Sequence, residues 1–278
     1  MDISAAMVKE LRDETGLGMM ECKKALIETN GDKAAAIKVL RERGMAIAGK
    51  KADRVAKDGR VACDIYDGGR TGVMIEVDCE TDFVARNSVF QAFMKELVVK
   101  AHGAADNGLA EAVKDQVQAK IAEIGENIIV RRNVRFQVQG EGLVAGYIHL
   151  GEKVGVLLEV GCTQAATVAK ETFRDAVKDV TLQIAASNPP YLNRDSVPAD
   201  VLQSEREIYA KQVENKPANI VQKIVDGKLE KFYQQGCLVE QAFVKDPDVS
   251  ITEMLAARSK ELGDTLVIRR FVRYQVGA

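Results

Sequence analysis

The 278-residue chain is 46% hydrophobic and 29% charged, with no Trp and 39 Lys and Arg nearly balanced by 41 Asp and Glu. That length supports about two domains with real cores, while a formal net charge of −2 argues against a surface that coats nucleic acid. No run reaches the roughly eighteen apolar residues of a membrane span, and Met1-Asp2-Ile3-Ser4 has no secretory or transit character, so a cytoplasmic chain is expected.

In chain order, residues 1–53 read as a small three-helix unit and its linker. Ile3, Met7, Val8 and Leu11 recur at helical spacing and stop at Thr15-Gly16-Leu17-Gly18. A second helix carries Met19, Cys22, Ala25 and Leu26 and ends at Asn30-Gly31; Asp32 then caps a third, with Ala36, Ile37 and Leu40, which Gly44 is expected to close. So small a unit is marginal alone and should lean on a partner or on the main body. Residues 48–54 read as a linker or frayed helix.

From Gly59 the chain repeats itself. Gly59-Arg60-Val61-Ala62 and Gly72–Cys79 recur at an offset of 83 as Gly142-Leu143-Val144-Ala145 and Gly155–Cys162, whereas Ile128–Val138 recurs at 138 as Leu266–Val276. The second copy therefore holds 138 − 83 = 55 extra residues. Each copy predicts two strands around a tight turn, then helices, then a closing strand. Val73, Ile75, Val77 and Cys79 alternate with Met74, Glu76 and Asp78, as in a sheet buried on one face, and Val130, Val134, Phe136 and Val138 are assigned to the face that meets the helices. The expected fold is α+β: two modules, each a three-stranded antiparallel sheet covered by helices, over 54–140 and 141–278. Within the second, residues 187–245 form an insert that turns at Asn215-Lys216-Pro217, read as an antiparallel helical hairpin that projects from the core.

The duplication isolates a candidate site. Glu80-Thr81-Asp82-Phe83-Val84 follows the second strand of the first copy, where the other copy has Thr163-Gln164-Ala165-Ala166-Thr167. An acid beside a large aromatic in a connection at the sheet edge is either structural, with Phe83 folded onto the core and Asp82 capping the next helix, or a contact feature. Its absence from the duplicate favours function. Arg131-Arg132 and Arg269-Arg270 occupy one register in both copies, which points to structural pairing with acids across each sheet.

Chemistry is otherwise sparse. His102 and His149 are the two histidines, the cysteines at 22, 63, 79, 162 and 237 never approach Cys-x-x-Cys spacing, and no P-loop occurs. Gly16-Leu17-Gly18 lacks the third glycine of a dinucleotide fingerprint and follows a helix. No catalytic residue, metal or cofactor is assigned, and an enzyme is not expected. The competing readings are an RNA- or ribosome-binding scaffold using the lysines of the linker and insert, and a metabolic enzyme revealed only by turnover of a small molecule.

Two ungapped stretches, Leu11–Leu26 and Glu76–Arg86, closely resemble the bacterial elongation factor Ts family, and with the order of modules the likeness extends over essentially the whole chain. Asp78 stands where that family usually has Asn. The resemblance implies a ubiquitin-associated-like N-terminal domain, two related core subdomains and a coiled-coil hairpin. It implies a guanine-nucleotide exchange factor for the GTPase elongation factor Tu, with no membrane or direct nucleic-acid partner; self-association and a higher heteromeric complex stay open. By the same likeness Thr81, Asp82, Phe83 and Val84 match a segment that displaces Mg²⁺ from the GTPase. Arg12, Met19, Met20 and Lys23 match residues that hold its nucleotide-binding domain, and His149 matches one that meets a distal domain.

Overall fold

The computed structural model describes residues 3–213, 215 and 217–278, so Lys216 of the expected turn and Met1-Asp2 of the expected start lie outside the described residues. The chain opens with helices α1 (Ala5–Thr15), α2 (Met19–Glu28) and α3 (Lys33–Lys51). Ser4 accepts a hydrogen bond from the amide of Met7 at the start of α1, and Gly16, at φ 69°, ends it in the left-handed conformation that a Cβ disfavours. Asp32 caps α3 by accepting from the amide of Ala35 at 3.0 Å. Val8, Leu11, Cys22, Ala25, Leu26, Ala36 and Leu40 meet at the centre of this unit.

Gly44 does not close α3, which runs on to Lys51. An interior glycine costs a helix about 1 kcal/mol relative to alanine and breaks it only where the chain needs a positive φ. The added length brings Ala48 into the core of the first module. The small unit thus leans on the main body through the end of its own third helix.

The first module comprises β1 (Asp58–Tyr66), β2 (Thr71–Cys79), α4 (Asp82–Arg86), α5 (Ser88–Ala101), α6 (Leu109–Ala112), α7 (Lys114–Ile124) and β3 (Ile128–Gln137). The second comprises β4 (Gly142–Ile148), β5 (Val154–Gly161), α8 (Glu171–Ser187), α9 (Ala199–Lys211), α10 (Ala218–Gly236), a short ribbon of β6 (Ala242–Phe243) and β7 (Asp246–Ser250), α11 (Ile251–Leu262) and β8 (Val267–Gln275). Both main sheets are antiparallel, ordered β1-β2-β3 and β4-β5-β8.

These sheets are buried on both faces, not one. Every residue of β2 is buried, including Met74, Glu76 and Asp78. One face packs on α5 and α7, with Phe90, Phe93, Leu97 and Ile121 meeting Val73, Ile75 and Val77. The other meets the second sheet, where Val61, Met74, Phe136 and Val138 join Val144, Leu157 and Tyr274. A duplicated module buries its second face on its twin, so a hydrophobic alternation with polar partners still yields a strand with no solvent side.

The phase expected for β3 also changes partway. Val77 pairs with Val130 but Glu76 pairs with Arg132, leaving Arg131 as the extra residue of a bulge. Val130 accordingly faces the helices, while Val134, Phe136 and Val138 face the second sheet. The same irregularity between Glu159 and Val160 makes Arg269 the extra residue of β8. The arginine pairs then reach across to buried acids as expected: Arg131 to Asp78 at 2.7 Å, Arg132 to Glu76 at 2.6 Å, and Arg269 and Arg270 to Glu159 at 3.1 and 2.7 Å. Asp78 lies in this inter-sheet layer with one oxygen unpaired, so it does not point away from the packed interior.

In the insert, α9 and α10 lie against each other, with Arg206 3.8 Å from Asp226 and the Lys228 ammonium 5.4 Å from the Tyr209 ring centre. No residue of α9 is buried among the described residues, whereas Val225 and Leu229 of α10 are. Arg194 pins the base, pairing with Glu230 and Glu240 and lying 4.4 Å over the Tyr233 ring.

Candidate functional site

Asp82 and Phe83 belong to a short helix, α4, and its cap is Thr81 and not Asp82. Thr81 is extended, and its hydroxyl accepts from the amide of Val84 at 3.3 Å. That hydroxyl also donates to Glu126 at 2.7 Å, and the second oxygen of Glu126 accepts the amides of Glu80 and Thr81, both at 3.0 Å. Glu80 in turn accepts from the amide of Asn127 at 2.7 Å. The side chain of Asn127 donates to the carbonyls of Ala52 and Arg54, at 3.2 and 2.8 Å, which joins this network to the segment just after α3.

The helix so fixed is held from below by Ala85, which is buried, and Val84, which packs against the same core. Phe83 is left pointing out, 82% exposed. A phenyl ring in water forgoes the stabilisation that burial would give, so its neighbours' burial makes this a held presentation and not a fold-back onto the core. Asp82 pairs with Arg86 one turn on, at 3.1 Å. Cys79, at the strand end beneath, donates to the carbonyl of Thr81, and burial pushes its thiol up to about 12, which suits a packing residue and not a nucleophile.

The duplicate keeps the anchor and lacks the tip. Asp264 sits where Glu126 does, accepting from the amides of Thr163 and Gln164 and the hydroxyl of Thr167 at 2.9, 3.1 and 2.6 Å. The short 3₁₀ turn over Ala165–Ala169 presents Ala165 and Ala166, both exposed, at the positions of Asp82 and Phe83.

The remaining candidates lie on two other exposed surfaces. Met19, Met20 and Lys23 line the start of α2, and Arg12 stands in the last turn of α1, all exposed. Ile27, 56% exposed, extends the Met20 and Lys23 row at helical spacing, a signal the sequence pattern itself carries. His149 occupies the β4–β5 turn, its Nδ1 2.9 Å from the Tyr147 hydroxyl, beside Leu150, which at 91% is the most exposed large apolar side chain among the described residues. In the sequence Leu150 carries no such signal, because a lone apolar residue in a turn has no periodicity to mark it.

That turn is fastened to the first module. Glu152 accepts from the amide of Val61 at 2.7 Å through its carbonyl and pairs with Arg60, and Lys153 pairs with Asp58. Because α4 also packs on β1, the His149 turn and α4 share one support. No hydrogen bond or ion pair among the described residues joins α2 directly to α4; the Asn127 network ties α4 to the segment after α3. Among the described residues no group of three or more His, Cys, Asp and Glu is arranged around a metal position, and no helix is long and apolar enough to cross a membrane.

Comparison with known proteins places this arrangement in context. The family model described as "Elongation factor TS" matches residues 80–278. Elongation factor Ts of a Nitratiruptor species is 44% identical over 292 residues, covering 100% of this chain and 94% of that protein. The same-named protein of Nitratidesulfovibrio vulgaris is 42% identical over 281 residues, covering 100% and 96%. That of Clostridium perfringens is 45% identical over 287 residues, covering 99% and 93%.

Proposed function

The chain belongs to the elongation factor Ts family, and we propose that it is a guanine-nucleotide exchange factor: it binds elongation factor Tu carrying GDP and speeds release of that GDP so that GTP replaces it. The observation that carries the mechanism is Phe83, 82% exposed on a helix whose other side is locked down, at a position that is Ala166 in the duplicated module. A rigidly held aromatic can wedge between elements of a partner with little ordering cost. In this reading Phe83 enters beside the Mg²⁺ and phosphate site of the GTPase, with Thr81 and Val84 fixing the helix, and Asp82 perturbs the network around the metal.

Arg12, Met19, Met20 and Lys23 form the second contact, to the nucleotide-binding domain. Two adjacent methionines give an adaptable apolar patch, extended here by Ile27, and the flanking cations suit acidic neighbours. His149 and Leu150 supply a third contact with a distal domain. The N-terminal unit is the ubiquitin-associated-like domain of the family, and α9 with α10 is its antiparallel hairpin, a contact arm beyond the core.

No bond is made or broken by the factor, so catalysis here is differential binding. If the factor lowers nucleotide affinity by some ratio, nucleotide lowers the factor's affinity by the same ratio, and incoming GTP expels it. The test is stopped-flow release of a fluorescent GDP analogue from cognate elongation factor Tu, with the chain and with its Phe83→Ala variant. Acceleration that largely disappears in the folded variant supports the wedge; acceleration that survives keeps the exchange function and removes Phe83 from it; none with the wild type sinks the reading.

A further inference from the structure

The two modules treat the outer edge of their third strand differently. In the first, the edge of β3 is closed by the chain's own segment 105–109: the amide of Asn107 donates to the carbonyl of Asn133 at 3.0 Å, and Asp106 accepts from the amide of Arg135 at 2.8 Å. The Asn133 side chain completes the seal, accepting from the amide of Leu109 at 3.0 Å and donating to the carbonyl of Ala105 at 2.9 Å.

At the offset of 83, segment 105–109 becomes 188–192, and at 138, Asn133 and Arg135 become Phe271 and Arg273. Asp106 and Asn107 are replaced by Pro189 and Pro190. Proline has no amide to donate, and neither it nor Phe271 offers a side-chain acceptor or donor. The seal cannot form. The segment turns away instead and pairs with the base of the insert, Leu238 and Val239 donating to the carbonyls of Tyr191 and Leu192 at 2.9 and 3.1 Å. Between it and β8 lies an open groove of about 450 Å³, lined by Pro189, Pro190, Tyr191, Arg270, Phe271 and Arg273. Among the described residues the backbone groups of Phe271 and Arg273 that face this groove make no hydrogen bond.

Charge separates the two edges as well. Near β3, Arg131 and Arg132 each have a carboxylate of their own, Asp78 and Glu76, and a third carboxylate, Asp106, sits on the edge itself, accepting from the backbone amide of Arg135. Near β8, Arg269 and Arg270 share Glu159 alone, because Gly161 stands where Asp78 would, and with Pro189 in the place of Asp106 no carboxylate pairs with Arg273 among the described residues. An unsealed edge is a template for one more strand, and a surplus of guanidinium groups selects its side chains.

We propose that the β8 edge is a docking site for an extended acidic peptide segment of a partner protein, which adds to the second sheet as an outer strand by hydrogen bonding to the backbone of Phe271 and Arg273. The test uses the full chain and a fluorescein-labelled octapeptide of alternating Glu and Val, read by polarization and by amide hydrogen exchange. Expected are saturable binding, weakened at least about tenfold when the peptide's alternate amides are N-methylated. The lysine–valine counterpart should bind at least about tenfold more weakly, and Arg273→Glu should reverse that preference. In the free chain the Arg273 amide should exchange rapidly and slow on binding, while the Arg135 amide, already bonded to Asp106, stays slow in both. If Arg273→Glu does not fold, Arg273→Gln with the same two peptides must still lower the discrimination between them. The proposal is overturned by absent binding, by equal affinity for the two peptides, or by indifference to N-methylation. A concentration-dependent dimer that protects the same amides would assign the edge to a second copy and likewise overturn it.

Discussion

Glu126 and Thr81 are joined twice, hydroxyl to one carboxylate oxygen at 2.7 Å and amide to the other at 3.0 Å, and that pair sets the direction in which α4 leaves the sheet. Glu126→Ala leaves the amides of Glu80 and Thr81 without an acceptor, which should cost about 1–3 kcal/mol. Glu126→Gln keeps one acceptor oxygen and should fall between. Urea unfolding checks the stability, and nucleotide release at a temperature where all variants are folded checks presentation: the exchange rate should fall in the same order.

Phe83→Ala should separate stability from function. The ring is 82% exposed, so the unfolding free energy should change by no more than about 0.5 kcal/mol. Nucleotide exchange should nevertheless be largely lost. Asp82→Asn removes an exposed pair one helical turn long, worth about 0.3–0.5 kcal/mol, and should likewise be read in exchange more than in melting.

Phe83 was legible because the duplication supplied its own control, a scaffold with Ala166 at the same place. The arginine pairs were legible for the same reason, a shared register that implied a shared partner. What the pattern could not show was how much water each sheet face would see: alternation marks two faces of β2, and only the packing of one module on the other reveals that Glu76 and Asp78 are buried. Nor does alternation survive a bulge, which is why Val134 and Phe136 face the opposite way from Val130. Gly44 misled because a glycine that ends a helix and one that is carried through it look alike until φ is known. Ile27 and Leu150 belong to exposed surfaces, where apolar residues follow no core periodicity.

The meeting of the two sheets makes a second stability prediction. A Cβ on Gly155 would lie 2.5 Å from Cγ1 of Val61 and 2.9 Å from both Cδ1 of Ile148 and Sδ of Met74, so Gly155→Ala must push the modules apart and should cost about 1–3 kcal/mol. Gly227, inside α10, has open space around it, and Gly227→Ala should instead stabilise by up to about 1 kcal/mol. Thermal melts of the two variants should move in opposite directions.

Acid should act oppositely on the Glu76–Asp78 pair and on Asp264. Burial raises the carboxyls of Asp78 and Glu76 above their ordinary 3.8 and 4.5, against the pull of Arg131 and Arg132, so what they contribute is fullest when both are protonated and is lost as pH rises through their folded values. Hydrogen bonds from the hydroxyls of Thr163 and Thr167 hold Asp264 well below 3.8, so its contribution is present above that value and is lost as pH falls beneath it. Asp78→Asn should therefore be most favourable relative to the wild type near neutral pH, the advantage shrinking on the way down through the raised value. Asp264→Asn should be most costly near neutral pH, and its deficit should close only at pH below about 3.8. Urea midpoints measured at about pH 7, 5 and 3 distinguish these signs. A deficit for Asp264→Asn that widened with acid, or an Asp78→Asn advantage that grew with it, would mean that the two carboxylates do not hold the charges their surroundings assign.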